Sequence, residues 1–208
     1  MTLANFPHNP TGAQPSVAAL EDLAAMTAAA GAHFVCDEVY RLLEHDPGDR
    51  LPAAVDLHPR GVSIGVMSKA FGLAGLRIGW VATRDRALLR RLAGLKDWTT
   101  ICASAPSEVL AVIGLRAREE LLARARGIVA TNLRAVEAFV AEHPADLDWT
   151  PPRAGTVAFP RLPRHGPAGE FTDLLLADHG VLLVPGHLFG DHPDRVRIGL
   201  GRRDLPDG

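Results

Sequence analysis

Short apolar runs, each leading into polar residues, alternate with helical segments through the first half of the chain. His33 to Cys36 ends at Asp37, Val62 to Val66 leads into Ser68-Lys69, and Arg77 to Ala82 forms a third run. Continuous apolar runs of this length between helices are typical of strands buried in a parallel sheet. The pattern therefore predicts an α/β layer architecture with a mostly parallel sheet.

The helical segments that separate these runs carry recognisable end signals. Residues Ser16 to Ala30 are predicted as a helix, with Ser16 as the N-cap and Gly31 at the C-terminal end. A second helix is predicted near Arg84 to Asp97. After Pro106 a long helical stretch follows, whose apolar residues fall near one face: Leu121, Leu122, Ala125, Ile128, Val129, Leu133, Val136 and Val140.

The last third of the chain has a different organisation. Residues 144 to 152 break the helical pattern. We then predict, in chain order, a strand near Thr156 to Phe159, a helix near Glu170 to His179, a strand at Val181 to Val184 and a strand at Arg195 to Leu200. This is a small α+β unit, so we predict a large-domain part over residues 1–120 and a small C-terminal domain over residues 121–208.

Charge, cysteine content and hydropathy argue against several classes of partner and site. The net charge of −2, from 22 basic and 24 acidic residues, does not indicate nucleic acid or an anionic membrane as a partner. Cys36 and Cys102 are isolated, which argues against a zinc site. We see no signal segment and no apolar stretch approaching the roughly 20 residues that span a bilayer, so a cytoplasmic location is predicted.

Two polar groups follow neighbouring predicted strands. Asp37 ends one apolar run and Lys69 follows another, and ligands of open α/β sheets bind at the carboxyl ends of strands. Taken alone, each is better explained as a turn or surface residue. Chemistry that needs a lysine amine has only Lys69 and Lys96 to choose from. The glycines after Lys69 match neither the dinucleotide nor the Walker A fingerprint, which disfavours a nucleotide-binding protein.

Five segments together resemble the class I/II aminotransferases, pyridoxal-phosphate (PLP) enzymes of fold type I. They are Asn-Pro-Thr-Gly at 9–12, Asp-Glu-Val-Tyr at 37–40, Ser-Lys-x-x-Gly-x-x-Gly-x-Arg at 68–77, Pro-Gly-His-Leu-Phe-Gly at 185–190 and Arg-Val-Arg-Ile-Gly-Leu-Gly at 195–201. The resemblance covers nearly the whole chain. It implies a partial PLP-binding large domain plus a small domain, and a homodimer.

The resemblance also implies a role for each matched residue. Lys69 would carry PLP as a Schiff base and later move a proton at the substrate α-carbon. Asp37 would keep the pyridine nitrogen protonated, so that the ring acts as an electron sink. The remaining predicted roles are ring-oxygen contacts by Asn9 and Tyr40, phosphate binding by Ser68 and Arg77, and substrate α-carboxylate binding by Arg197.

The surroundings expected for four basic residues separate the two with predicted site roles from the two without. Arg77 and Arg197 are expected in otherwise apolar strands, where an arginine needs an anionic partner. Arg195 is expected on the opposite side of the second of these strands, in solvent. Lys96 is predicted on a solvated helix face.

The sequence leaves the reaction open. Transamination between an amino acid and a 2-oxo acid is the first hypothesis. The segment from Lys96 to Glu108 is modestly similar to capreomycidine-synthase-like enzymes, so PLP-dependent elimination or cyclisation is the second. Members of the family carry a further N-terminal part before the Asn-Pro-Thr-Gly segment. The resemblance thus implies a chain truncated on that side, and the third hypothesis is an inactive fragment that needs the missing half.

Overall fold

The computed structural model describes residues 1–205 and contains two sheets with six α-helices. The elements are β1 (Thr2–Asn5), α1 (Val17–Ala29), β2 (Phe34–Asp37), α2 (Ala54–Leu57), β3 (Gly61–Val66), β4 (Gly79–Thr83), α3 (Arg86–Thr99), α4 (Ala105–Arg116), α5 (Arg118–Glu142), β5 (Val157–Ala158), α6 (Ala168–His179), β6 (Val184–Pro185) and β7 (Val196–Gly199). Short 3₁₀ turns lie at Pro47–Asp49, Ala74–Leu76 and Gly186–Phe189. The predicted α/β class is confirmed.

The first sheet has the order β1-β2-β3-β4. β1, β2 and β3 run parallel, and Asp37 at the end of β2 lies opposite Ile64 of β3. β4 runs antiparallel to β3, with Val66 opposite Gly79, so the expectation of a third parallel strand over Arg77 to Ala82 was wrong. Trp80 and Val81 of β4 are partly exposed, unlike the buried residues of β3.

α1 packs against one face of β1 and β2. Ser16 caps this helix as predicted, because its hydroxyl accepts a hydrogen bond of 3.1 Å from the Ala19 N–H. Leu20 of α1 packs with Phe34 and Cys36 of β2, each almost fully buried. Burial of side chains from both layers fixes the helix on the sheet and leaves the carboxyl ends of β1, β2 and β3 at one edge.

The long helical stretch of the sequence is two helices. α4 ends and α5 begins at Ala117, whose ψ of 21° departs from the helical value. Near its start α5 buries Leu122 in the core cluster that contains Met67 and Ala70. Further along, it buries Val129 and Val136 against β5 and the end of β7. One helix thus connects the two sheets. The break lies close to residue 120, and the division into units of 1–120 and 121–208 stays a prediction.

The second sheet is small and antiparallel, with the order β5-β7-β6. The predicted strand at Val181 to Val184 is shorter and later than expected, because only Val184–Pro185 pairs with β7. The predicted strand at Arg195 to Leu200 is β7, slightly shortened at both ends. Across residues 1–205, no helix has the length and apolar character needed to cross a membrane.

Candidate active site

A cavity of about 370 Å³ opens between the carboxyl edge of the first sheet and β7. Five of the seven predicted site residues line it: Asn9, Asp37, Tyr40, Lys69 and Arg197. They come from four separate segments of the chain, and the farthest apart are separated by 188 positions. The fold therefore brings together residues that the sequence alone could only group by resemblance.

Asp37 is positioned by hydrogen bonds to the backbone around it. Its Oδ1 accepts a bond of 3.1 Å from the Val39 N–H. Its carbonyl oxygen accepts from the Phe6 N–H at 3.1 Å and from the Asn5 side-chain amide at 3.4 Å. Within residues 1–205 the other carboxylate oxygen, Oδ2, makes no hydrogen bond and pairs with no cation. A half-buried carboxylate with one free oxygen suits a protonated ring nitrogen as its partner.

Lys69 lies on a turn whose neighbours are anchored in the core. Met67 and Ala70 are almost completely buried, and the Met67 N–H bonds to the Ile78 carbonyl at 3.0 Å. The exposed Lys69 side chain is thus presented from a rigid turn directly after β3. Its Nζ lies 5.6 Å from the centre of the Tyr40 ring and forms no ion pair within residues 1–205. Such an amine is available for covalent bonding to a carbonyl carbon.

The Tyr40 ring lies between Lys69 and Gly155. The side chain is 3% exposed and belongs to the core cluster that contains Met67 and Leu122. Gly155 packs against the ring, and a Cβ built on this glycine would lie 3.3 Å from the Tyr40 Cγ. Because Gly155 also has a φ of +85°, both sterics and backbone conformation favour glycine next to the aromatic ring.

Arg197 connects β7 to the loop after β1. Its Nη1 donates a hydrogen bond of 3.2 Å to the Asn9 Oδ1, and its guanidinium carbon lies 5.0 Å from the centre of the Phe189 ring. The Asn9 N–H in turn donates to the Asn5 Oδ1 at 2.9 Å. The predicted anionic partner is not supplied by the described protein residues, so the guanidinium can bind a ligand carboxylate with its remaining donors.

Two predicted residues are not brought into the cavity. Ser68 is half-buried beside Lys69 but does not line the cavity. Arg77 does not lie in a strand: it follows the 3₁₀ turn with a left-handed φ of 55°. Its exposed side chain donates from Nη1 to the Ala74 carbonyl at 3.1 Å. The reason offered for an anionic partner of Arg77, burial in an apolar strand, was therefore wrong, and the phosphate role of both residues stays a prediction.

Sequence reasoning missed several residues of the cavity. Asn5, at the end of β1, bonds both Asp37 and Asn9, and Arg202 lines the cavity beyond β7. The apolar wall comes from Val39, Val157, Leu182 and Val184. Asn5 lies at the end of β1, but this strand was not predicted, so its end gave no signal in the sequence. Nothing in the pattern around Arg202 distinguished it from a surface residue.

A second cavity of about 500 Å³ shares Asn9 with the first. Its lining includes His8, Phe159, Phe189 and Arg195, but none of Lys69, Asp37 or Arg197. Arg195 was expected in solvent, yet it is half-buried, donates to the Phe159 carbonyl at 3.0 Å and covers the Phe159 ring. Partial burial lowers the pKa of the His8 imidazole below its usual range.

The residues of the first cavity fit the PLP chemistry that the sequence resemblance implies. A free amine, a carboxylate with one open oxygen, a phenol and a guanidinium face one space. These are the groups needed to hold a carbonyl compound covalently, keep a ring nitrogen protonated, contact a ring oxygen and bind a carboxylate. The two predicted phosphate ligands lie outside the cavity, so this part of the fit is not supported by the geometry.

Comparison with known proteins gives a consistent result. The family model for aminotransferases of class I and II matches residues 1–204. A capreomycidine synthase of Streptomyces vinaceus is 35% identical over 201 residues, covering 96% of this chain and 51% of the relative. An aspartate aminotransferase of Thermococcus kodakarensis is 28% identical over 208 residues, covering 100% of this chain and 54% of the relative.

Solved structures show the same relationship. A PLP-dependent aminotransferase from Streptococcus suis superposes with a TM-score of 0.91 at 30% identity, over 99% of this chain and 54% of that one. A PLP-dependent cyclase superposes with a TM-score of 0.86 at 36% identity, over 95% of this chain and 53% of that one. The chain spans about half the length of the curated relatives it matches.

Proposed function

The chain belongs to the class I and II aminotransferase family, and from that premise we propose that it binds PLP at Lys69 and takes part in transamination of an amino acid with a 2-oxo acid. The observation that carries the proposal is the shared cavity of Lys69, Asp37, Tyr40, Asn9 and Arg197. The relatives include an enzyme named as an aspartate aminotransferase and one named as a capreomycidine synthase, and each matches over about half its length.

Each residue contributes a separate element of the chemistry. Bound PLP supplies the electron sink for negative charge at the substrate α-carbon. Asp37 holds a proton at the ring nitrogen through its free carboxylate oxygen. Lys69 binds the cofactor covalently and, when its amine is released, carries the α-proton.

The other residues orient the reactants. Tyr40, Asn9 and Arg197 line the same cavity. The Tyr40 hydroxyl and the Asn9 side chain would contact the ring oxygen, and Arg197 would bind the α-carboxylate as a fork. Asn9 already accepts from Arg197, so it holds the guanidinium in place while keeping its own amide N–H₂ available. This coupling sets the substrate carboxylate at a fixed position relative to the cofactor ring.

Cofactor capture is tested by trapping. The purified chain is mixed with PLP, reduced with borohydride, and mapped by mass spectrometry, with circular dichroism recorded alongside. We expect stoichiometric labelling at Lys69 that is lost in Lys69→Ala and kept in Lys96→Ala, the matched lysine on the exposed face of α3. A folded chain labelled equally at both lysines, or at neither, would contradict the proposal.

A second candidate function is PLP-dependent elimination or cyclisation, favoured by the similarity to capreomycidine synthase. Both reactions start from the same loss of the α-proton, so product analysis separates them. A new 2-oxo acid together with pyridoxamine phosphate supports transamination. Turnover of the amino acid without pyridoxamine phosphate supports the second candidate.

A third candidate is an inactive fragment that depends on a further half. The coverage of about half of each relative is the observation behind it. Joining the corresponding N-terminal half of a relative to this chain and comparing activity separates the two cases. Equal activity with and without the added half would exclude the fragment hypothesis.

We also propose a cytoplasmic homodimer. The support is an apolar surface on α3, α4 and the loop between them, where Trp98 is 91% and Ile101 74% exposed and Val109 and Ile113 are more than half exposed. A second copy covering this surface would remove it from water. Light scattering should give a dimer mass that shifts toward the monomer in Trp98→Ser but not in Leu188→Ser, an exposed apolar residue elsewhere. A monomeric wild-type chain would contradict the proposal.

A further inference from the structure

We propose that Asn5 is a positioning residue, whose side chain fixes Asn9 and through Asn9 orients the Arg197 guanidinium in the cavity. The inference rests on the proposed function, because the substrate α-carboxylate is assigned to Arg197. Asn5 lines the same cavity from the end of β1, and it has no role among the residues assigned above.

The Asn5 carboxamide bridges two backbone groups of opposite kind. Its Oδ1 accepts a hydrogen bond of 2.9 Å from the Asn9 N–H, and its Nδ2 donates to the Asp37 carbonyl at 3.4 Å. The bond to Asn9 is the shorter one, so it is the main contact of the side chain. A carboxamide carries its donor and its acceptor on separate atoms, so one side chain can serve both groups at once.

The hydrogen bonds of Asn9 make it dependent on Asn5. The backbone beneath Asn5 belongs to the first sheet, where Asn5 lies opposite Asp37 in the parallel pairing of β1 with β2. Among the hydrogen bonds of residues 1–205, Asn9 takes part in two, one with Asn5 and one with Arg197. Loss of the Asn5 side chain would therefore leave Asn9 bonded to Arg197 alone, without a link to the sheet.

The direction of the Arg197 guanidinium depends in turn on Asn9. The guanidinium carbon lies 5.0 Å from the centre of the Phe189 ring, and Nη1 donates to the Asn9 Oδ1 at 3.2 Å. Attraction of a cation to a ring face sets little of its rotation over the ring, whereas a hydrogen bond fixes the direction of one N–H group. The bond to Asn9 therefore sets where the remaining donors of Arg197 point.

The first test needs no cofactor. Amide hydrogen exchange, followed by NMR of the isotope-labelled chain, should show a protected Asn9 N–H in the wild type. Its exchange should be about 5-fold or more faster in Asn5→Ala, the factor expected for one hydrogen bond of ordinary strength. Asn5→Asp should keep the protection, because a carboxylate still accepts from this N–H. Thr11→Val is the matched control, since it removes the 2.8 Å contact of the Thr11 hydroxyl with His8 in the same loop.

The Arg197 Nε–H signal in the same spectra reports the second half of the link. It should shift in Asn5→Ala and in Asn9→Ala, because both substitutions release the guanidinium from a fixed partner, and it should stay in place in Thr11→Val. A shift in Asn9→Ala without one in Asn5→Ala would mean that Asn5 does not act on Arg197, and would overturn the proposal.

The second test asks whether Asn5 affects the reaction through Asn9. In the PLP-loaded chain, Asn5→Ala should raise KM for the amino acid by about 3- to 10-fold and change kcat much less, because the lost contact orients a substrate-binding group. In an Asn9→Ala background the same substitution should raise KM no further. A merely structural role would lower the active fraction, and with it kcat, and leave KM unchanged. An equal rise of KM in both backgrounds would also overturn the proposal.

The wild-type chain keeps the inference open to disproof if Asn5→Ala does not fold. An Asn9 N–H that exchanges in the wild type at the rate of an unstructured peptide would show that the bond to Asn5 does not form. Loss of protection in a folded Asn5→Asp chain would show that the acceptor at this position does not hold Asn9. Either result overturns the proposal.

Failure of this inference and failure of the proposed function give different results. If borohydride labelling at Lys69 fails in the wild type while the Arg197 signal shifts in both Asn5→Ala and Asn9→Ala, the link from Asn5 to Arg197 stands and cofactor capture does not. Normal labelling at Lys69 with an Arg197 signal that does not respond to Asn5→Ala overturns the role of Asn5 alone.

Discussion

The Arg197 guanidinium donates a hydrogen bond of 3.2 Å to the side-chain oxygen of Asn9, a residue 188 positions earlier in the chain. This bond joins β7 of the small sheet to the loop that follows β1 of the large sheet. It also joins two predicted roles, because Arg197 is assigned to the substrate carboxylate and Asn9 to the cofactor ring. The position of each residue therefore depends on the other.

Asn9→Asp should weaken substrate binding through this contact. The introduced carboxylate would pair with Arg197 and compete with the substrate α-carboxylate, raising KM by roughly 10-fold, since a charge-assisted hydrogen bond is worth about 1.5 kcal/mol or more. Steady-state kinetics of the active enzyme measure the effect. Arg197→Lys keeps the charge but loses the fork, and should also raise KM. An unchanged KM in both variants would mean that Arg197 does not bind the substrate.

Gly155→Ala should destabilise the protein by about 1–2 kcal/mol, because a side chain in the left-handed region meets its own backbone and here also the Tyr40 ring. Chemical denaturation monitored by circular dichroism gives the change. Gly127→Ala provides the opposite case. That glycine lies inside α5 with no atom within 4 Å of the added Cβ, and the substitution should stabilise by up to about 1 kcal/mol. Equal effects at both sites would contradict the close packing on Tyr40.

Much of the fold could be predicted from the sequence because the signals were local, whereas the site residues were grouped by the family resemblance. Asp37 and Lys69 each follow a short apolar run, and parallel strands place their carboxyl ends at one edge. β1 was not predicted as a strand, since Thr2–Asn5 is a four-residue segment with a polar residue at each end. The direction of β4 also could not be predicted, because an apolar run carries no information about its partner's orientation.

Residues that depend on tertiary contacts were beyond reach of the sequence pattern. Arg77 looked like the first residue of a strand, but the chain turns there and the strand begins two residues later. Arg202 lines the cavity from the segment after β7, where its backbone carbonyl accepts a hydrogen bond from the Asn132 side chain. The contact of Arg195 with Phe159 also depends on tertiary structure, because the loop at residues 159–161 lies beside β7.

The two thiols should differ strongly in reactivity. Burial, followed by the nearby Glu38 carboxylate, raises the pKa of the Cys36 thiol to about 12, whereas Cys102 is exposed on the loop between α3 and α4. A disulfide reagent that reacts with thiolates should therefore modify Cys102 rapidly at neutral pH and Cys36 only in denaturant. The rapid phase should disappear in Cys102→Ser. Rapid modification of both thiols in the folded chain would contradict the burial of Cys36.

Glu38 makes the stability of the first sheet depend on pH. Its carboxylate accepts bonds of 2.7 Å from the Ala54 N–H and from the Ser63 hydroxyl, yet burial outweighs them and raises the pKa of the carboxyl above its ordinary 4.5. Between 4.5 and that raised pKa, Glu38 binds more protons in the folded chain than in the unfolded chain. Its contribution to the free energy of unfolding therefore falls as pH rises through this window.

Glu38→Gln should remove this fall, because the amide oxygen can still accept from Ala54 and Ser63 but the side chain no longer titrates. The free energy of unfolding of the variant, relative to wild type, should increase as pH rises from 4.5 and then level off above the raised pKa. Urea unfolding at a series of pH values measures the difference. Glu21→Gln, at an exposed position of α1, is the control for removing one negative charge, and its difference from wild type should not follow that curve. Parallel curves for wild type and Glu38→Gln would show that Glu38 is ionised at the same pH in the folded and unfolded chains.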